Sequence, residues 1–288
     1  QLGEVLFDKM KITNKPKKTK TGQYSTSEEV LNELSSKSDL VKLVLKFRSI
    51  SKLLNTYINS LPKQLDKYTN RIHTEYVQTV ASTGRLSSIN PNLQNIPIRT
   101  NRGREVRKAF IARNKDYFLM AADYSQIELR IIASLSNEEN MINAFKKNED
   151  IHASTASAVF NVPINQVSKE QRSNAKVVNF GIIYGVSAFG LSNQTKLNRT
   201  ESKELIEKYF EKYPKLKQYI NNQISFARNN GYVETVLGRR RYLKDINSQN
   251  SVVRGSAERN AINAPVQGSA ADICLLYTSP SPRDLRKS

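Results

Sequence analysis

The chain has 288 residues, enough for one large domain or two to three subdomains around a shared core. Lys and Arg outnumber Asp and Glu by 45 to 26, giving a formal net charge of +19 that points to a polyanionic partner. No apolar run approaches the roughly 20 residues of a membrane span, the single cysteine, Cys274, excludes an internal disulfide, and two histidines, His73 and His152, exclude a histidine-rich metal site.

The lone thiol fits a reducing cytosol, and a start at Gln1 without a signal-like segment reads as a piece of something longer. Residues 11–24 carry Lys11, Lys15, Lys17, Lys18 and Lys20 between Pro16 and Gly22. This is a basic loop, either solvated or phosphate-contacting. Thr26 and Glu29 form a capping-box pattern before Val30, Leu31 and Leu34. Residues 39–61 predict a helix with Leu43, Phe47, Ile50, Leu54, Tyr57 and Leu61 as its packing seam.

Alternation through Ile72, Thr74, Tyr76, Gln78 and Val80 predicts a strand. It leads into TGRLSSINPNLQNIP, residues 83–97, which gathers Ser87, Ser88, Asn90, Asn92, Gln94 and Asn95 around Arg85. Such groups either cap an ordinary loop or hydrogen-bond a sugar–phosphate backbone and base edges. YFLMAAD, residues 117–123, predicts a short buried strand ending at Asp123, followed by a helix through Ile127, Ile131 and Leu135. A carboxylate at that place suits a Mg²⁺ ligand and equally an N-cap.

Asp150 is the expected cap of a helix containing His152. Residues 205–230 predict one or two helices interrupted at Pro214 and ended by Gly231. YVETVLGRRRYL, residues 232–243, predicts a hairpin turning at Gly238 beside the Arg239–Arg240–Arg241 cluster. Residues 251–271 predict a helix broken at Pro265, then a second helix start.

The most informative stretch is RSNAKVVNFGIIYG, residues 172–185. As a helix it sets Arg172, Lys176, Phe180 and Tyr184 at four-residue steps of about 400° each, one slowly drifting stripe. Two cations followed by two aromatic rings suit a nucleoside triphosphate, with phosphates on the cations and sugar and base on the rings. The alternative is an amphipathic helix whose basic end is merely solvated.

Six motifs in order resemble family A DNA polymerases. DYSQIELR (123–130) is similar to the family's motif A and RSNAKVVNFGIIYG to its motif B. TGRLSSINPNLQNIP, DIHASTAS, GYVETVLGRRRYL and NAPVQGSAAD are similar to further signatures. The resemblance implies an α+β right-hand fold with an incomplete palm. Residues 1–75 would be part of the thumb, 76–135 and 263–273 palm, 136–262 fingers, and 274–288 a tail outside the family pattern.

It also implies template-directed DNA synthesis with Mg²⁺ (two ions), primer–template DNA and dNTPs as partners, in a cytoplasmic, nucleoid-associated monomer acting in replication and repair. Asp123 and the carbonyl of Tyr124 would hold metal. Asp123, Lys176 and Arg172 would form the catalytic set. Gln126, Glu128, His152, Arg172, Lys176, Phe180 and Tyr184 would bind dNTP, with Glu128 and Tyr184 closing the space a 2′-hydroxyl needs. Arg85, Asn92, Gln94, Asn95, Arg254, Asn263 and Gln267 would bind DNA, Arg85 and Gln267 through minor-groove acceptors present in every base pair.

The departure comes after Ile273, where the family continues its palm helix toward a strand bearing His-Asp-Glu. This chain instead reads CLLYTSPSPRDLRKS, and no His-Asp pair occurs in it. Asp123 is therefore the one expected metal carboxylate, with Asp272 as a conceivable substitute, and the chain as written is expected to bind without turnover.

Overall fold

The structure, a computed structural model, describes residues 1–98 and 100–278, with side chains up to residue 275. Its chain divides into two compact units: residues 1–77 with 87–120, and residues 78–86 with those from 121 onward.

In the first unit, helix α1 (Leu2–Glu4) runs on as a π-helical turn, Val5–Lys9. Helix α2 (Glu28–Leu34) is capped by Ser27, which accepts from Val30 N. The cap thus sits one residue beyond the expected Thr26. Helix α3 (Asp39–Leu53) continues into the π-helical Leu54–Ile58. Leu6, Phe7, Val30, Leu31, Leu34 and Val41 form the core here, with Val44 and Leu45 against it.

The expected seam of α3 is therefore wrong over most of its length: Leu43 is 61% and Phe47 69% exposed, and only Tyr57 and Leu61 are buried. Two apolar stripes interleave on this helix. Period alone cannot say that Val41, Val44 and Leu45 are the ones facing the core.

Strands β1 (Glu75–Val77) and β2 (Ser87–Ile89) pair antiparallel, Tyr76 opposite Ser88. A short helix, α4 (Asn101–Arg107), follows, capped by Thr100. The buried strand expected at residues 117–123 does not form, and its side chains are exposed, Phe118 and Met120 at 90% each. No strand among the described residues offers them a ladder, and an unpaired run has nothing to hold it extended.

The second unit is a helical body: α5 (Ile127–Ser136), α6 (Glu139–Lys146), α7 (Ile151–Phe160), α8 (Lys169–Ile183), α9 (Ala188–Ser192), α10 (Arg199–Lys212) and α11 (Pro214–Asn230). Pro214 at N1 and left-handed Gly231 bound α11 as the sequence predicts. The core joins Leu129 and Ile132 of α5, Met141 of α6, Val178 and Ile183 of α8, and Tyr209 and Leu216 of the α10–α11 pair. Burying each such side chain is worth roughly 1.5–3 kcal/mol.

The expected hairpin forms as β3 (Tyr232–Glu234) and β4 (Arg240–Tyr242), with Gly238 at φ +78° in the turn. It packs against the alanine face of α12 (Ser251–Thr278), where Val233, Leu243 and Ile246 meet Ala257, Ala261 and Ala264. Helix α12 passes through Pro265 without the expected break. Burial of Ala261, Ile262, Ala264 and Val266 on both sides of the proline holds the axis against the lost N–H. The helix also takes in residues 274–278, where no helix was expected. Pro280 and Pro282 lie outside the described residues.

Candidate functional site

Helix α8 starts earlier than its signature stretch. Ser168 and Gln171 form a capping box, Gln171 N donating to Ser168 Oγ (3.1 Å) and Ser168 N to Gln171 Oε1 (2.9 Å). The S-x-x-Q pattern is the sequence signal for this start. Lys176, Phe180 and Tyr184 then line an open cleft of about 800 Å³ with Gly185, Gln194 and Arg259. Arg172 does not line it. Its guanidinium pairs with Asp150, Nη2 to Oδ2 2.7 Å and Nε to Oδ2 2.8 Å.

Asp150 also caps α7, accepting from His152 N and Ala153 N. Burial pushes its carboxyl up, but the Arg172 and backbone bonds outweigh that and hold it below the usual range. The Arg172–Asp150 pair is nearly half exposed on both sides. Such a pair is worth at most about 1 kcal/mol, so an incoming phosphate can compete for the guanidinium. Lys176 makes no ion pair among the described residues.

His152 is placed differently from the expected triphosphate clamp. It is 2% exposed and lies beneath the stripe, its ring 5.6 Å from that of Phe180. Asn179 Nδ2 lies 3.1 Å from Nδ1 and Gln126 Nε2 lies 3.3 Å from Nε2; both are amide donors, and a neutral imidazole accepts from one of them, the one its tautomer selects. Burial lowers its pKa first, and the charges of Arg172 and Lys176 add to this against Asp150. A neutral, hydrogen-bonded imidazole supports Phe180 from below. Asn179, Thr155 and Tyr213 extend this buried network, and nothing in their spacing announced it.

At the other end of α8, Tyr184 OH donates to Glu128 Oε2 (2.9 Å), and the Arg85 guanidinium donates to Glu128 Oε1. Gln267 is a further hydrogen-bond partner of Tyr184. Burial, then the nearby Glu128 charge, raises the Tyr184 phenol despite the Gln267 bond. Glu128 is 8% exposed, so its charge is held in place by two donors rather than by water. The pair expected to guard the sugar is thus in contact, with both expected minor-groove residues beside it.

Gln126, at φ +57°, occupies the N-cap position of α5. That removes the N-cap alternative for Asp123, which lies three residues earlier in exposed coil with Tyr124. Asp123 is close enough for its charge to add to burial in raising the Cys274 thiol. No group of three or more His, Cys, Asp or Glu side chains among the described residues is placed to hold a metal ion. Asp272 is no substitute carboxylate: Oδ1 accepts from Arg239 (Nε 3.0 Å) and Oδ2 from Thr235 Oγ1 (2.7 Å). The described residues therefore do not fit a two-ion centre.

Within the arginine cluster only Arg239 is held by a largely buried acceptor. Arg239 is bonded to Asp272, Arg240 pairs with Glu234 (2.7 Å) over the Tyr232 ring, and burial lowers the Arg241 pKa. Arg254 donates to Ser248 O (2.9 Å). Asn263 and Gln267 lie one turn apart on α12, half-buried, and Arg259 lies one turn before them. That four-residue spacing was the missed signal for Arg259.

In the first unit, Asn92 Oδ1 accepts from Gln94 N, Gln94 Oε1 from Ser88 N, and the Asn95 carbonyl from Tyr57 OH. These amides shape their own loop. The basic loop is held too, Lys17 pairing with Glu33 (2.8 Å) and Lys18 lying over the Tyr24 ring.

No helix among the described residues is long and apolar enough to cross a membrane. The chain is 51% identical over 276 residues to DNA polymerase I of Caldicellulosiruptor bescii, covering 96% of this chain and 32% of that protein. It is 51% identical over 274 residues to DNA polymerase I of Pseudomonas aeruginosa, covering 95% and 30%. It thus spans about a third of the length of the curated relatives it matches. Its fold matches the POL domain of Pol1 from M. smegmatis, solved in complex with DNA primer-template and dNTP. There the TM-score is 0.86 at 45% identity, covering 95% of this chain and 48% of that one. The profile of DNA polymerase family A matches residues 1–287, past Ile273. A cation-and-aromatic helix face, a hydrogen-bonded Glu–Tyr pair at its end and this likeness over nearly the whole length agree: the chain belongs to DNA polymerase family A and has its α+β polymerase fold.

Proposed function

We propose that this chain carries the nucleotide- and primer-binding part of a template-directed DNA polymerase, which transfers a nucleotidyl group from a dNTP to a primer 3′-hydroxyl in replication and repair. The observation that carries this is the Tyr184–Glu128 bond at the ring end of the Lys176–Phe180–Tyr184 cleft. The triphosphate lies against Lys176, drawing Arg172 from Asp150, and the nucleoside packs on Phe180 over His152. A ribose 2′-hydroxyl would press on the Glu128–Tyr184 pair and disturb the bond between them. Arg85 and Gln267 check the newest base pair through minor-groove acceptors common to all sequences.

Residues 1–75 act as thumb, 76–135 and 263–273 as palm and 136–262 as fingers of a cytoplasmic monomer. Asp123 and the Tyr124 carbonyl are the groups that would face Mg²⁺, and among the described residues they do not complete a two-ion centre. A second reading is favoured by the engagement of Asp272: the 288-residue chain binds primer–template and dNTP without turnover.

One experiment separates the two. Primer–template binding, dNTP binding and primer extension are measured on the same preparation, across a salt series. Sequence-neutral binding whose affinity falls linearly on a log–log salt plot, with extension, supports the polymerase reading. The same binding without extension supports the second reading, and failure to bind either partner overturns both.

A further inference from the structure

The Arg239 guanidinium occupies an unusual seat. Nη2 donates to two backbone carbonyls, Thr83 (2.8 Å) and Gly268 (3.1 Å), while Nε and Nη2 hold Asp272 Oδ1 at 3.0 and 2.9 Å. Two glycines leave room for it. A Cβ on Gly84 would stand 2.5 Å from Nη2, and one on Gly268 would stand 3.1 Å from Nη2 and 2.5 Å from Thr235 Cγ2. The hairpin is fastened to the same place: Thr235 Oγ1 donates to Asp272 Oδ2, and Val236 N donates to Ser269 Oγ (2.9 Å).

The two carbonyls are informative because of their neighbours. Thr83 lies two residues before Arg85, and Gly268 lies one after Gln267. One planar cation therefore ties together the two backbone segments that carry the proposed minor-groove donors. Lysine is a point charge without a fork and cannot hold two carbonyls and a carboxylate in one plane.

We infer that Arg239 is a positioning residue that fixes the separation of Arg85 and Gln267, and through it the discrimination between paired and mispaired primer termini. This rests on the proposed roles of Arg85 and Gln267 and adds the element that spaces them.

The test compares binding of two primer–templates, differing only in a matched or mismatched terminal pair, by the full chain and by Arg239→Lys and Asp272→Asn. The unsubstituted chain should prefer the matched terminus by about tenfold, the worth of one or two oriented donors. Arg239→Lys should reduce that preference to within about twofold while matched-duplex affinity at fixed salt falls far less, since the charge is kept. Asp272→Asn should give an intermediate ratio. A double substitution with Gln267→Ala should add nothing to Arg239→Lys, which a merely structural role would not produce. Full retention of the matched preference in Arg239→Lys, whatever its melting temperature, overturns the inference and leaves the reading of Arg85 and Gln267 standing. Indifference of the unsubstituted chain to the mismatch overturns both.

Discussion

Two arginine-bearing regions of the helical body look alike in sequence and behave oppositely in space. On α8, Arg172 leans on one half-exposed carboxylate and Lys176 faces the cleft, so both cations remain exchangeable. On the hairpin, Arg239 is taken up by the largely buried Asp272 and by the Thr83 and Gly268 carbonyls, whereas Arg240 rests on Glu234 in a pair as exposed as that of Arg172. A net charge of +19 counts them equally. What decides whether a cation can meet a phosphate is the strength of the bonds it must first give up.

The sharpest way to break this comparison is Lys176→Ala. Losing an unpaired cation from the cleft removes a charge-assisted contact of about 1.5–3 kcal/mol, so dNTP affinity should fall some 10- to 100-fold with primer–template affinity nearly unchanged. Equilibrium titration of both ligands checks it, and an equal loss of DNA binding would mean that the stripe serves DNA instead. On the hairpin the corresponding change is Asp272→Ala. It should cost roughly 1–3 kcal/mol in stability, read by denaturant unfolding, because Arg239 and Thr235 lose their acceptor in a largely buried place. A change within experimental error would return Arg239 to the pool of free cations.

Asp150→Asn sharpens the contrast further. Asparagine caps a helix as well as aspartate does, so α7 should survive, and the lost pair should cost at most about 1 kcal/mol. With Arg172 released, dNTP affinity should rise slightly; a fall would show that the pair orients the guanidinium productively. The smallest effect concerns pH. Burial depresses the His152 pKa below its ordinary 6.5, so its contribution is complete above pH 6.5 and declines as pH drops below 6.5 toward the folded value. Melting curves at pH 7.5 and 5.5 should show a larger drop for the unsubstituted chain than for His152→Asn.

Much of this was legible in the chain. The α8 helix, the Asp150 cap, the Pro214–Gly231 bounds and the Gly238 turn are local, set by i+4 spacing, caps and left-handed glycine, and the structure has them; of the α8 stripe, Lys176, Phe180 and Tyr184 share the cleft while Arg172 turns to Asp150. The failures share a non-local cause. The seam of α3, the strand at residues 117–123 and the break at Pro265 each depended on what packs alongside, which a local pattern does not contain. His152 is the instructive case at the site. Its position beside Asp150 was plain, but its burial under Phe180 follows from Asn179 and Gln126, 27 and 26 residues away in sequence. The Arg239 seat spans 156 residues to Thr83 and was invisible for the same reason.

In the proposed function, closure of the cleft to a 2′-hydroxyl rests on the Glu128–Tyr184 pair. Its most direct test is the ratio of ribonucleotide to deoxynucleotide affinity, measured by competition on the chain with primer–template bound, before and after Glu128→Ala. Removing the buried acceptor should narrow the deoxynucleotide preference by about tenfold, equivalent to ~1.4 kcal/mol, with dNTP affinity itself little changed. An unchanged ratio would contradict the claim and leave Glu128 as an anchor for Arg85 and Tyr184 alone.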